Sequence, residues 1–237
     1  MIESTSAPNL SSLQDECLKL LTGVLDVPKA ASYMIDNRSN MYCIKHRAVQ
    51  PGMQREYLEH YQSYDPLHPN KVVDIQTTVQ HTNEIASPRD RQENPYFSEF
   101  MNRWGILDTV EIYLHTEDRI ALGFSLFLGD HQQDFLHADM KKLEYLYNFM
   151  QFSLEAYLSS PQQKAFDRIC GDYQLTAKER MVVEQILEGL PNKSIANNLC
   201  CGLSTIKTHL QHIFEKMDVN SKAEVARLFY LKKAHHH

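Results

Sequence analysis

The stretch LCCGLSTIKTHLQHIF, residues 199–214, sets two adjacent cysteines, Cys200 and Cys201, ahead of two histidines three apart, His209 and His212. Thiolates and imidazoles are zinc ligands, so a metal site is the first chemistry these residue types offer. The same letters offer a second chemistry. A helix over 203–217 places Ile206, Leu210, Ile213 and Met217 on one apolar stripe, spaced four, three and four. The opposite stripe holds Ser204, Lys207, Thr208 and Gln211, none of them apolar or acidic. Lysine donates to guanine O6 or N7, glutamine pairs bidentately with adenine, and threonine offers a hydroxyl and a methyl. Lys207 and Gln211 are one turn apart and reach along the same groove wall. Vicinal cysteines are poor partners for helix histidines in one tetrahedral site, which favours the nucleic-acid reading over the metal.

DNA is a polyanion, yet the 237-residue chain carries a formal charge of -6. The charge is unevenly placed. From Gly171 onward there are nine Lys/Arg and seven Asp/Glu, a net +2; the first 170 residues carry -8. The acidity belongs to the N-terminal part, and the C-terminal part is mildly basic.

A hydrophobic content of 43% and a charged content of 23% fit an ordinary globular protein. The length allows one large domain or two small ones. No apolar run approaches the ~20 residues of a membrane span. The opening MIESTSAPNLSSLQDE lacks a basic segment followed by an apolar one, so no secretory signal is expected. Five cysteines in irregular spacing fit free thiols in a reducing cytoplasm better than a disulfide framework. The closing His235–His237 reads as a purification-tag remnant.

The elements that must position the reading stripe follow from pattern. Thr176 with Glu179 three residues on makes a reciprocal cap. That helix runs through Met181, Val182, Ile186 and Leu187 to a stop at Gly189. A second helix starts near Asn192 and buries Ile195, Ala196 and Leu199; the reading helix follows Gly202, and a fourth starts at Ser221. Asn192 and Lys193 open the second helix where a phosphate can be met. One helix crossing the backbone and the next lying in the major groove is the helix-turn-helix arrangement.

The segment LTAKERMVVEQILEGLPNKSIANNLCCGLSTIKTHLQHIFEKMDVNSKAEVARL resembles the LuxR/GerE-type four-helix helix-turn-helix domain. The resemblance rests on Leu175-Thr176, Glu179, Gly189-Leu190, Asn192-Lys193, Ile195-Ala196, Leu199, Thr205-Ile206-Lys207, His209-Leu210, Ile213, Lys216-Met217, Val219 and Ser221-Lys222. It implies base-reading positions at Lys207, Thr208 and Gln211. Further DNA contacts are expected at Ser204, Thr205, Asn192, Lys193, Lys216 and Lys222, and the fourth helix is implied to dimerise. Cys201-Gly202 departs from the family's usual apolar-Ser lead into the reading helix, and Lys178 stands where Arg is usual.

The N-terminal part alternates types. A helix is expected near 9–25, with Leu13, Cys17, Leu20 and Leu21 on one side. ASYMID and MYCIKHRA read as strands joined by the turn NRSN. MQREYLEHYQSY reads as a helix ending at Asp65-Pro66, and NPYFSEFMNRW as another. TVEIYLH and RIALGFSLFLG are strands, followed by a long helix from Ala138 to Leu158 on the stripe Met140, Leu143, Leu146, Tyr147, Met150, Leu154 and Tyr157. Ser159-Ser160-Pro161 ends it and a polar linker follows. The expected organisation is an α+β sensor and dimerisation domain over 1–160, a linker over 161–171, and an all-α four-helix helix-turn-helix domain over 172–234.

The N-terminal part shows no acidic pair and phosphorylatable Asp of a receiver. Its small antiparallel sheet flanked by helices resembles PAS/GAF-like folds and the autoinducer-binding domains of quorum-sensing LuxR proteins. Tyr57, Tyr61 and Asp65-Pro66 echo an aromatic, Tyr and Asp-Pro pattern of those domains, and RWGILDTVEIYL echoes a later segment of them. The first aromatic is Tyr where Trp is usual, and Asp65 follows Tyr61 at a shorter spacing. Physically, a buried Asp65 accepts a ligand hydrogen bond, and Tyr57, Tyr61 and Trp104 line an apolar cavity with polar tips.

Catalysis finds no support. Cys43 and His46 are three apart on a strand and point to opposite faces. Cys17 lies on an apolar helix face, and Asp134 and Asp139 flank His137. None makes a nucleophile, base and orienting set. The expectation is a cytoplasmic DNA-binding transcriptional regulator with no enzymatic activity, no cofactor and no membrane association. It binds double-stranded DNA as a homodimer under a small-molecule effector in the N-terminal domain, and contacts RNA polymerase if it activates. The alternative is an N-terminal domain that binds a protein partner or only dimerises.

Overall fold

A computed structural model of the chain describes residues 9–27, 29–72, 77–129 and 140–234. Asp134, His137, Ala138, Asp139 and His235–His237 lie outside the described residues. The chain divides into two compact units, Asn9–Glu155 and a second from Ala156 onward.

The N-terminal unit is an antiparallel five-stranded sheet with helices on its faces. The strands are β1 (Ala30–Ile35), β2 (Met41–Arg47), β3 (Val79–His81), β4 (Asp108–His115) and β5 (Ile120–Leu128), in the order β2-β1-β5-β4-β3. Both faces are covered, so β4 and β5 are buried along nearly their whole length. Val110, Ile112 and Leu114 of β4 alternate with Thr109, Glu111 and Tyr113, as the period of two dictates. The first helix, α1 (Leu10–Val24), is capped by Asn9 and buries Cys17, Leu18 and Leu21. Its Gln14 donates to the Cys43 carbonyl at 2.9 Å, tying α1 to β2.

Four short helices follow: α2 (Pro51–Glu56), α3 (Thr82–Ile85), α4 (Pro88–Glu93) and α5 (Asn102–Trp104). Two of the expected helices carry wider π turns. α2 continues as a π-helix over Tyr57–Tyr61, and a second π-helix over Tyr96–Met101 leads into α5. Gly105 at φ 62° ends α5 in the left-handed region, where glycine carries no Cβ penalty. β3, α3 and α4 fall where no element was expected. The long helix α6 (Met140–Ser159) buries Leu143, Met150 and Leu154. Its Gln151 brackets the His115 backbone, accepting from N–H and donating to C=O, each at 2.9 Å.

The expected linker, 161–171, is instead most of a helix, α7 (Pro161–Asp172). The residues read as a terminator also start a helix: Ser160 caps it and Pro161 takes its first turn. Phe166, Ile169 and Cys170 are buried, and the Phe166 ring lies 5.4 Å from Phe229. α7 therefore belongs to the C-terminal core.

The rest of that unit is α8 (Ala177–Leu187), α9 (Asn192–Asn198), α10 (Leu203–Met217) and α11 (Lys222–Ala234). Thr176 and Glu179 form both bonds of the capping box on α8. Val182, Val183, Ile195, Ile206, Ile213 and Val225 are the centre of the core.

Candidate DNA-reading face and ligand cavity

α10 divides into a buried row and an exposed row. Ile206, Leu210, Ile213 and Met217 are buried against the domain. Ser204, Thr205, Lys207, Thr208 and Gln211 are exposed. Thr208 Oγ1 donates to the Ser204 carbonyl at 3.2 Å, and Gln211 Nε2 donates to Glu215 Oε1 at 2.9 Å. At the start of α9 Lys193 is exposed, while Asn192 is half-buried with its Oδ1 lacking a partner among the described residues.

Lys216 and Lys222 are placed differently. Lys216 Nζ donates to Glu179 Oε2 at 2.7 Å and to the Gln174 carbonyl at 3.0 Å. Lys222 Nζ donates to the Leu190 carbonyl at 2.9 Å, just past the end of α8. Both ammoniums are committed inside the domain. Burial pushes the Glu179 carboxyl up, but Lys216 and the Thr176 amide and hydroxyl outweigh it and hold it below its ordinary range.

Cys200 is exposed at φ 50°, and Cys201 and His209 are half-buried. His212 is exposed, 3.9 Å from Glu179. Among the described residues no three His, Cys, Asp or Glu side chains gather as a metal ion requires. Gly202 caps α10 in an extended conformation without a side-chain bond to offer.

The second site lies in the N-terminal unit, between one face of the sheet and the helical turns of 51–61 and 96–101. It is a small cavity of about 60 Å³, partly open to solvent. Ala31, Tyr33, Ser125 and Phe127 line it from the sheet, and Met53, Tyr57, Tyr96 and Phe100 from the helices. A bulge in β2 turns Cys43 to φ 49° and lets Met41, Ile44 and His46 all reach the same side. The aromatic rings form one packed group: Tyr96 stacks on Phe100 at 5.6 Å, and Tyr57 meets Phe100 at 5.7 Å and the edge of Tyr96 at 6.4 Å.

Asp65 lines this cavity and is buried. Its Oδ2 accepts from the Tyr57 hydroxyl at 2.7 Å, and its Oδ1 accepts from the Leu67 N–H at 2.9 Å. Burial pushes its carboxyl up to about 6 against the pull of those two donors. The structure thus brings Tyr57 and Asp65 together at one wall.

Tyr61 and Trp104 do not line the cavity. The Tyr61 hydroxyl donates to Glu99 Oε2 at 2.9 Å, and Trp104 Nε1 donates to Glu56 Oε2 at 3.2 Å. Both pack on the same aromatic cluster without reaching the cavity.

Sequence reasoning missed a second carboxylate. Glu111, buried on β4, accepts from the Tyr33 hydroxyl at 2.8 Å through Oε2 and is also hydrogen-bonded to Ser125. Burial pushes its carboxyl well above the usual range, and Asp65 adds to the rise. The signal available was the polar-apolar alternation of DTVEIYLH, which places Glu111 on one face of the strand without saying what covers that face.

Residues 173–229 match the family model described as bacterial regulatory proteins, luxR family. The chain is 28% identical over 218 residues to the "Monoamine regulon transcriptional regulator" of Klebsiella aerogenes, covering 92% of this chain and 90% of that protein. It is 45% identical over 53 residues to the "Nitrate/nitrite response regulator protein NarL" of Escherichia coli (strain K12), covering 22% of this chain and 24% of that one. Among solved structures, Escherichia coli SdiA aligns over 96% of this chain and 92% of its own, at 13% identity and a TM-score of 0.43. With its capped α8, its α9–α10 pair and the polar outer row of α10, the segment that the luxR family model matches, residues 173–229, has the layout of that family's helix-turn-helix domain.

Proposed function

We propose that the protein is a sequence-specific transcriptional regulator whose DNA binding is controlled by a small molecule held in the N-terminal cavity. The observation that carries the reading is the cavity itself: aromatic walls and a buried, hydrogen-bonded carboxylate, Asp65, that faces open space rather than a protein cation. Few convergent polar groups in an apolar concavity are the usual makings of a small-molecule site. A transcriptional regulator collinear with 92% of the chain supports reading both units as one device.

The regulator works in the cytoplasm on paired half-sites as a homodimer, since one such module buries little surface and two half-sites add specificity. Tyr145, Phe149 and Phe152 form an exposed aromatic row on α6, at 63%, 60% and 67% accessibility. That spacing of four and three is a stripe a second copy of the chain can cover.

The test has two parts on the full chain. Selection from a random duplex pool gives the operator. Mass spectrometry of small molecules released from the purified protein then shows whether the cavity is occupied, and re-adding them shows whether operator affinity responds. A released molecule that shifts operator affinity supports the reading. An empty cavity, with operator binding that responds only to a protein partner, overturns ligand control.

A further inference from the structure

Asp65 and Glu111 are two buried carboxylates that serve the same cavity. Asp65 lines it directly, while Glu111 holds the hydroxyls of two lining residues, Tyr33 and Ser125. Neither forms an ion pair with a lysine or arginine among the described residues. Lys71 is the cation that reaches Asp65 electrostatically, and its ammonium is bound to the Ser63 carbonyl. The described lining residues include no lysine or arginine, and His46 is their one basic side chain.

Burying one carboxylate away from water is costly, and two of like charge in one site cost more. A protein relieves such a site with protons or with a cation. Among the described residues every partner of these two groups is a hydroxyl or an amide N–H, and none supplies a counter-charge. Rings that pack beside carboxylates also favour a cation, because their faces attract positive charge.

We infer that the cavity takes an organic ammonium ion, its charged head at Asp65 and its apolar body laid among Tyr57, Tyr96 and Phe100, with Glu111 behind the lining hydroxyls of Tyr33 and Ser125. The inference rests on the reading of the N-terminal unit as a ligand sensor and names the ligand's class. An ammonium has donors for Asp65 and for the lining hydroxyls beside it. An uncharged amide or alcohol supplies a hydrogen bond but leaves Asp65 without a counter-charge.

The test compares a charged and an uncharged probe of one shape. Phenethylammonium and phenethyl alcohol are titrated into the full-length protein, with affinity read by calorimetry and by the shift in melting temperature. The ammonium is expected to bind about tenfold tighter or better. Glu111→Gln and Asp65→Asn, each checked for folding by its melting curve without probe, are expected to erase that preference while still admitting the alcohol. The wild-type comparison needs no variant, so it decides even if a variant fails to fold. Equal or tighter binding of the alcohol overturns the ammonium inference and leaves the sensor reading standing. Failure of both probes to bind the wild type at millimolar concentration overturns the inference and counts against the cavity as a ligand site.

Discussion

The Tyr33 ring lies across Gly123, where an added Cβ would stand 2.2 Å from Tyr33 Cε2. The two residues face one another in the β1–β5 register, and the missing side chain is the slot through which the phenol reaches Glu111 Oε2. Glycine in a central strand marks such a close approach. Gly123→Ala is expected to push the ring aside, break the Glu111 bond and destabilise the N-terminal unit by about 1–3 kcal/mol through overpacking and an orphaned acceptor. Urea unfolding followed by the chain's single tryptophan, Trp104, reports on this unit. Because the alanine already displaces the ring, adding Tyr33→Phe to it should cost little more. Full additivity of the two changes would show that the slot and the hydroxyl are unrelated.

The Asp65 carboxyl gives a pH signature with a definite sign. Its folded value of about 6 stands above the ordinary 3.8. A carboxyl raised on folding binds its proton more tightly in the folded state, so its contribution is complete below the unfolded value. It is lost as pH rises from about 4 through about 6, by up to about 3 kcal/mol. Glu111 shifts in the same direction. Without ligand, the Trp104-monitored unit should lose stability over that window, and Asp65→Asn should flatten the loss. A stability that rises with pH there, unaltered in Asp65→Asn, would place the carboxylate in a less buried setting than described.

Glu179 behaves in the opposite way. Its carboxyl is held below its ordinary range, chiefly by Lys216 and the Thr176 cap working against burial. A carboxyl depressed on folding contributes stability above its unfolded value and loses it as pH falls through the folded one. The C-terminal unit should therefore weaken on acidification below about pH 4. Lys216→Ala should cost about 1–3 kcal/mol at neutral pH by leaving Glu179 buried with one partner fewer. Because that ammonium is committed to Glu179 and Gln174, the salt slope of DNA binding should stay at its wild-type value in this variant. A slope reduced by about one would return Lys216 to the phosphate contacts.

Gly202 caps α10 in extended backbone, and a Cβ there meets Ser204 Oγ at 3.4 Å, an ordinary contact. Gly202→Ser is expected to raise the stability of the unit by a few tenths of a kcal/mol through the added cap. Thermal unfolding of the C-terminal unit measures it; a fall in stability would mean that the cap site is too crowded for a hydroxymethyl group.

Some of this architecture was legible in the sequence because a single element carried the signal. Ile206, Leu210, Ile213 and Met217 lie on one helix at its own period, and Thr176 with Glu179 is a local cap. What depended on a second element was not. Ser160 and Pro161 stop one helix and start the next, so letters that read as a linker belong to α7, whose Phe166, Ile169 and Cys170 carry the apolar spacing. Tyr57 and Tyr61 share a face at α-helical period, but the π turn sends their hydroxyls to different partners, Asp65 and Glu99. β3, α3 and α4 are three, four and six residues long, too short for periodicity to rise above chance. Glu111 stayed hidden because an alternating strand looks the same whether its polar face meets water or a covered cavity.

Operator affinity measured by fluorescence anisotropy tests the central claim most directly, using full-length wild type, Lys207→Ala and Gln211→Ala on the selected duplex and on a scrambled one. Each variant should lose about 1–3 kcal/mol on the selected duplex and relax discrimination at the base pair its side chain reads. Operator affinity left at the wild-type value in both variants would contradict the assignment of α10 as the helix that reads DNA.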